Sequence, residues 1–461
     1  MATPKLMKES LYRLQERVEQ ARAQTDSLFA LLRSDAIYER PIPERHRLIF
    51  YLGHLEAFDW NLLGRDTFGL ASVHPGFDKL FAFGIDPVDG QLPSDRPADW
   101  PTVKEIQAYN TKLRETIDAA LRAPSSKLAA EVSGTSLDTL LNVAVEHRLM
   151  HAETLAYLLQ QLAIDKKDKK IDKKVAPENS ASAVTGAASS RNDFQRMAAI
   201  SEGEATLGMR REGGEFGWDN EFEENKVRVP AFHIGAYPVR NGEFLEFVRA
   251  GGYEDESLWS AEAREWITST GISHPLFWER SGNDARNSDS WEYRGMFAQI
   301  PLPLDWPVSV SHAEASAYAR WTKRALPSEG QWHRAAYGTP TGRECLYPWG
   351  DAGPSAQRGN FDFAHWDPTP VNAHPDGQSA FGVHDLLGNG WEWTSTPFAP
   401  LPGFRPFAFY PGYSANFFDG KHFVMKGGSQ RTAACMLRRS FRNWFQPHYP
   451  YVYAKFHTVE E

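Results

Sequence analysis

His147 and His151 are residues whose type and spacing suggest chemistry. Around them Leu137, Leu140, Leu141, Ala144, Leu155 and Leu158 recur at intervals of three and four, the apolar stripe of one helix. Side chains four residues apart leave the same helix face with Cβ atoms about 5–6 Å apart. Two inward imidazoles at that distance can grip one metal ion. The same spacing also arises in ordinary cores, where a buried histidine makes a hydrogen bond, so the pair alone leaves both readings open. A third histidine adds weight to the metal. Residues 47–63 form a helical pattern with Phe50, Tyr51, Phe58 and Leu62 to one side, and His54 falls on that side. Three imidazoles from two helices make a facial ligand set with open positions, which suits catalysis better than a structural plug. Neutral imidazole accepts Fe, Zn, Cu or Ni, so the spacing does not choose the metal.

The elements that must position these rings can be read along the chain. Residues 9–32 carry a helical pattern through Leu11, Leu14, Val18, Ala21, Leu28 and Leu31. Pro41 and Pro43 separate it from the helix bearing His54. A Gly/Pro/Asp-rich loop covers about 76–100, and Thr102 is a fitting N-cap for a helix over 103–122. Ser133-Gly134-Thr135 precede the fourth helix, which reaches about Ala163. Four such helices predict an up-down bundle. Glu146 and Glu153 are expected at solvent or against neighbouring helices. A Lys/Asp run from Asp165 and a Ser/Ala/Gly stretch through Ser190 bury nothing; they read as a solvated linker, the alternative being an interaction tail. Beyond about Glu202 the texture turns to short strands, turns and aromatics. Residues 227–234 alternate like one strand, and 241–248 and 311–324 read as short helices.

A chain of 461 residues exceeds one core. The expected division is a bundle over 1–164, a linker over 165–200 and an irregular α+β domain over 201–461. The net charge of −9, spread over both signs, disfavours a nucleic-acid partner. Two cysteines, Cys345 and Cys435, rule out a disulfide framework and fit a reducing cytoplasm. No apolar leader pattern follows Met1, and no run long enough to span a membrane occurs, so a cytoplasmic protein is expected.

The second half holds an ordered series of motifs: Gly217-Trp218-Asp219-Asn220-Glu221, Val229-Pro230-Ala231-Phe232, Leu326-Pro327-Ser328-Glu329, Leu386-Leu387-Gly388-Asn389-Gly390-Trp391-Glu392-Trp393-Thr394 and Lys426-Gly427-Gly428-Ser429. Together they resemble the formylglycine-generating-enzyme-like domain, a C-type-lectin-like fold, over about 203–458. The first half resembles the DinB-like four-helix bundle, whose metal histidines fall one on the second helix and two on the fourth. Joined in this order, the halves resemble the EgtB family of iron-dependent sulfoxide synthases in ergothioneine biosynthesis. That resemblance implies chalcogen transfer to the imidazole carbon of hercynine with O2, and Fe(II) held by His54, His147 and His151. It also allows a structural Ca2+ in the lectin-like half. The formylglycine-generating enzyme itself is a rival reading, but Cys345 and Cys435 do not stand in its active-site pattern.

Two departures from the family bear on the donor. Where the sulfoxide synthases carry a tyrosine after Trp-Glu-Trp-Thr, this chain has Ser395-Thr396-Pro397-Phe398, and Phe398 has no proton to give. After Arg442-Asn443-Trp444 the charged pair that holds a thiol in mycobacterial relatives is replaced by Phe445-Gln446-Pro447-His448-Tyr449. These losses resemble the selenoneine synthase branch, SenA, and imply a selenosugar donor, with a thiol as the alternative. By the same resemblance Asn443, Trp444, Phe445, Phe398 and Met150 are the candidate substrate contacts. Trp444 offers a face for the trimethylammonium of hercynine, and Asn443 a partner for its carboxylate. A non-catalytic binding module is the reading from a different class.

Overall fold

The computed structural model describes residues 4–82, 92–122, 135–168, 194–281 and 290–460. The chain divides into two units, 1–175 and 176–461. The first contains helices α1 (Pro4–Ala30), α2 (Leu48–Asp59), α3 (Pro75–Leu80), α4 (Val103–Arg122) and α5 (Leu137–Gln161). Thr102 starts α4 by a reciprocal cap. Its hydroxyl accepts from the Glu105 N–H at 3.3 Å, and the Glu105 carboxylate accepts from the Thr102 N–H at 2.9 Å. Ser136 caps α5 by accepting from the Thr139 N–H at 3.3 Å. Ser133 and Gly134, expected to open that helix, lie outside the described residues.

α1 packs along α5, and α2 lies against both α4 and α5. α2 is therefore covered on nearly every side, with Leu48, Ile49, Phe50, Tyr51, Leu55 and Ala57 all buried. At Trp60 its winding loosens into a π segment, Trp60–Arg65, where Asp66 N–H reaches back five residues to the Asn61 carbonyl. The helical pattern read through Leu63 is thus real but changes pitch.

Of the expected linker, residues 169–193 lie outside the described residues. Its ends are structured. Lys167 is buried and donates to the Leu159 carbonyl at 3.0 Å, and Met197–Ile200 is the first strand, β1.

The second unit continues with β2 (Gly203–Leu207), β3 (Asn225–Val229), β4 (Phe232–Gly235), α6 (Asn241–Arg249), α7 (Ala261–Thr270), β5 (Trp278–Arg280), β6 (Trp291–Arg294), β7 (Gln299–Pro301), α8 (His312–Trp321), α9 (Glu329–Tyr337), β8 (Trp391–Pro397), β9 (Phe423–Lys426), β10 (Asn443–Phe445), β11 (Ala454–Lys455) and β12 (Val459–Glu460). The single strand expected over 227–234 is two. Pro230 cannot donate to a ladder, and the chain breaks there. β3 pairs with β2, while β4 passes to a sheet with β1 and β12. A core of Trp332, Phe361, Leu386, Leu387 and Leu437 backs these strands.

A four-stranded sheet has the order β10-β9-β8-β11. Trp444 faces Val424 in register, and β11 runs parallel to β8 with Lys455 beside Glu392. Lys455 forms a buried ion pair with Glu392, whose other oxygen meets His457 Nδ1 at 3.0 Å.

Candidate metal centre and aromatic cluster

His54 comes from the middle of α2, and His147 and His151 from adjacent turns of α5. All three are buried, and one ligand nitrogen from each lies within 4.8 Å of the others. Stacked aromatic rings hold them. Phe58 covers His147 with centroids 3.4 Å apart, and Phe50 lies on His54 at 4.8 Å. His54 Nδ1 meets the Phe81 carbonyl at 2.8 Å, so this nitrogen carries the proton and Nε2 is the free lone pair. That oriented Nε2, His147 Nδ1 and both nitrogens of His151 are buried with no hydrogen-bond partner. A buried polar atom left unsatisfied costs about 1–3 kcal/mol, and an ion shared by one nitrogen from each ring would offset part of that cost.

Burial keeps the three rings neutral. Burial pushes the His54 imidazole down to about 4, with the Phe81 carbonyl opposing. Burial, then the neighbouring imidazoles, drives His147 well below its ordinary range, and His151 follows by burial and His54. Neutral rings present lone pairs, which is what ligation requires. The donor set fits a divalent transition metal with open positions.

Of the two settings expected for Glu146 and Glu153, solvent or neighbouring helices, solvent is excluded: both are buried, because α5 is enclosed along this stretch. Met150, one position before His151, is half-buried. No second group of three His, Cys, Asp or Glu ligands occurs among the described residues, so the calcium expectation has no such cluster behind it.

Sequence reasoning missed the charges beside the histidines. Arg148, Glu56 and Asp59 are buried together, with Arg148 bonded to Glu56 at 2.9 Å and Asp59 at 2.6 Å. Burial alone would raise the Glu56 carboxyl, but Arg148 and Arg114 outweigh it and hold it down at about 2. The signal was two acids in an otherwise apolar α2.

In the second unit the sheet brings Phe398 and Trp444 together. Phe398 follows β8 and donates its N–H to the His422 carbonyl at 2.7 Å. Trp444 meets the ring of Phe398 from β10, with Tyr413 and Phe417 each at 5.4 Å from the indole. Phe445 instead stacks on Tyr449 at 5.2 Å. Neighbours on a strand point to opposite faces, so Trp444 and Phe445 serve different clusters. The Asn443 side-chain oxygen accepts from the Trp444 N–H at 2.9 Å. Below them Arg442 grips Glu329 through two bonds, 2.9 and 3.1 Å. Cys345 is buried and Cys435 exposed, and the two form no disulfide.

Comparison with known proteins agrees with this layout. Residues 183–460 match the sulfatase-modifying factor enzyme 1-like domain, and residues 17–155 match the DinB superfamily. A hercynine oxygenase of Mycolicibacterium thermoresistibile is 40% identical over 248 residues, 52% of this chain and 53% of that protein. Ergothioneine biosynthesis protein 1 of Neurospora crassa is 28% identical over 503 residues, covering 94% of this chain and 56% of that protein. A formylglycine-generating enzyme of Mycobacterium tuberculosis is 31% identical but matches 38% of this chain. The chain spans about half the length of the hercynine and ergothioneine relatives it matches. No helix among the described residues is long and apolar enough to cross a membrane.

Proposed function

From the premise that the chain belongs to the sulfatase-modifying factor enzyme 1-like family, in its EgtB-like form with a DinB bundle, we propose that it is an iron- and O2-dependent enzyme joining a chalcogen to the imidazole carbon of hercynine. The observation that carries this is the cluster of three buried, neutral imidazoles, each with a ring nitrogen left without a hydrogen-bond partner. His54, His147 and His151 would hold Fe(II). When bound, that ion supplies O2 activation and a common template for the reactants.

The chain's own residues do the rest. The Phe81 carbonyl fixes the His54 tautomer. Phe50 and Phe58 wall the imidazoles and keep water away. In the second unit, the half-buried Trp444 is assigned to the trimethylammonium group, which has no N–H and needs an aromatic face rather than an acceptor, a contact of roughly 0.5–2 kcal/mol. Asn443, next to it on β10, is assigned to the carboxylate, while Phe445 turns away to stack on Tyr449.

For the donor, the reading is a selenosugar. Phe398 offers no phenol to act as acid or base, and a selenolate, ionised at neutral pH more readily than a thiol, needs less help from a base. The residues after Asn443-Trp444 are aromatic and neutral, as with the Phe445–Tyr449 stack, and suit a hydroxyl-rich ligand better than a charged thiol. A thiol donor and a sulfoxide product are the second reading, favoured by the hercynine and ergothioneine names of the relatives. Mass spectrometry of products from hercynine offered in parallel with a selenosugar, a thiosugar, cysteine and γ-glutamylcysteine decides between them. A carbon–selenium product with the selenosugar alone supports the first. A sulfoxide from a thiol moves the assignment to the second. No product and no metal leaves a binding module.

A further inference from the structure

Buried ion pairs tie the helices of the first unit together beside the histidines. Arg148 directly follows His147 on α5. Its guanidinium donates to Glu56 Oε1 at 2.9 Å, to Asp59 Oδ2 at 2.6 Å and to the Leu55 carbonyl at 3.0 Å. All these acceptors lie on α2, and Leu55 is one residue after His54. Asp59 also marks the point where α2 loosens into its π segment. Arg114 of α4 brings a second guanidinium to Glu56 at 2.6 Å and continues to Asp26 of α1 at 2.7 Å.

Apolar packing sets the distance between two helices but leaves their rotation and axial slip with a tolerance. A planar fork bonded to three residues of the facing helix removes both freedoms. Stability does not account for the arrangement, since well-packed apolar groups commonly replace a buried ion pair at no loss. Register does, because His54 sits beside one end of the fork's contacts and His147 beside the other.

We propose that Arg148 is a positioning residue for the metal centre. Through Glu56, Asp59 and the Leu55 carbonyl it sets the register of α2 against α5, and with it the spread of the nitrogens of His54, His147 and His151. The inference rests on reading those histidines as ligands.

Cobalt(II) binding to the full chain tests it, read as an affinity and as the visible absorption of the bound ion. Arg148→Lys keeps the charge and loses the fork. Asp59→Asn keeps the volume and removes one arm. Each is expected to weaken cobalt binding by about tenfold or more and to shift the visible bands while the helical circular dichroism is kept. Asp26→Asn breaks the same network at its exposed end, and is expected to leave cobalt affinity and bands unchanged even if the melting temperature falls. Wild-type affinity and bands in Arg148→Lys and Asp59→Asn overturn the proposal, as does a cobalt defect in Asp26→Asn equal to theirs. Failure of the wild-type chain to bind cobalt overturns the ligand reading, and this proposal with it.

Discussion

The indole of Trp444 lies flat on the ring of Phe398, centroids 4.3 Å apart and planes 8° from parallel. One residue directly follows β8 and the other sits on β10, so only the intervening strand β9 makes them neighbours. Two residues singled out for separate reasons, a lost hydroxyl and a cation-binding face, thus form one unit. A change in either is felt by the other.

Replacing Trp444 with Ala removes the aromatic face and leaves Phe398 without its stacking partner. The Michaelis constant for hercynine is expected to rise about fivefold to thirtyfold, the worth of roughly 1–2 kcal/mol of cation–π contact, with a smaller fall in kcat. Steady-state kinetics check it; an unchanged KM takes the trimethylammonium away from this residue.

Phe398→Tyr returns a phenol to a ring that is 1% exposed. Thiol-dependent product formation is expected to rise about tenfold or more, part of the roughly 10²–10⁴ a placed proton donor supplies. Product yield with γ-glutamylcysteine is the measure. No gain means that the missing hydroxyl is not what separates the two donors.

His147→Ala deletes one of the gathered nitrogens and leaves His54 and His151 one ligand short of the facial set of three. Iron content of the purified protein is expected to fall to background while the helical circular dichroism persists. Stoichiometric iron in this variant rejects the ligand assignment.

Asp385 supplies a pH dependence in the second unit. Burial raises its carboxyl from 3.8 to about 8, against the opposing pull of Lys455 and the Asn389 amide. Between those values the native state holds a proton that the unfolded chain has released, so stability falls as pH rises through the window. Asp385→Asn cannot titrate. The wild type is expected to lose stability relative to this variant from about pH 4 to 8, with a slope of at most about 1.4 kcal/mol per pH unit. Urea midpoints of both proteins at pH 5 and pH 8 measure it, and a constant difference would refute the buried, protonated carboxyl.

The bundle was legible because helical periodicity is local. The stripe from Leu137 to Leu158 placed His147 and His151 on one face whatever the rest of the chain did, and Thr102 signalled the start of α4 by its own hydrogen bonds. The β-rich half was less so. Strand pairing is set by distant partners, and residues 227–234 alternate correctly although Pro230 hands the chain from one sheet to another.

The candidate site divides in the same way. From its own order the sequence determined that two imidazoles project together from one helix and that a third stands on an apolar face elsewhere, since side-chain direction along a helix follows from spacing alone. Only the tertiary structure decided that His54 reaches them, that Phe81 orients its ring, that Arg148 is buried against Glu56 and Asp59 rather than solvated, and that Trp444 stacks on Phe398. Each of these depends on a group far away in the chain whose approach is determined by packing, and a linear pattern carries no record of that distance.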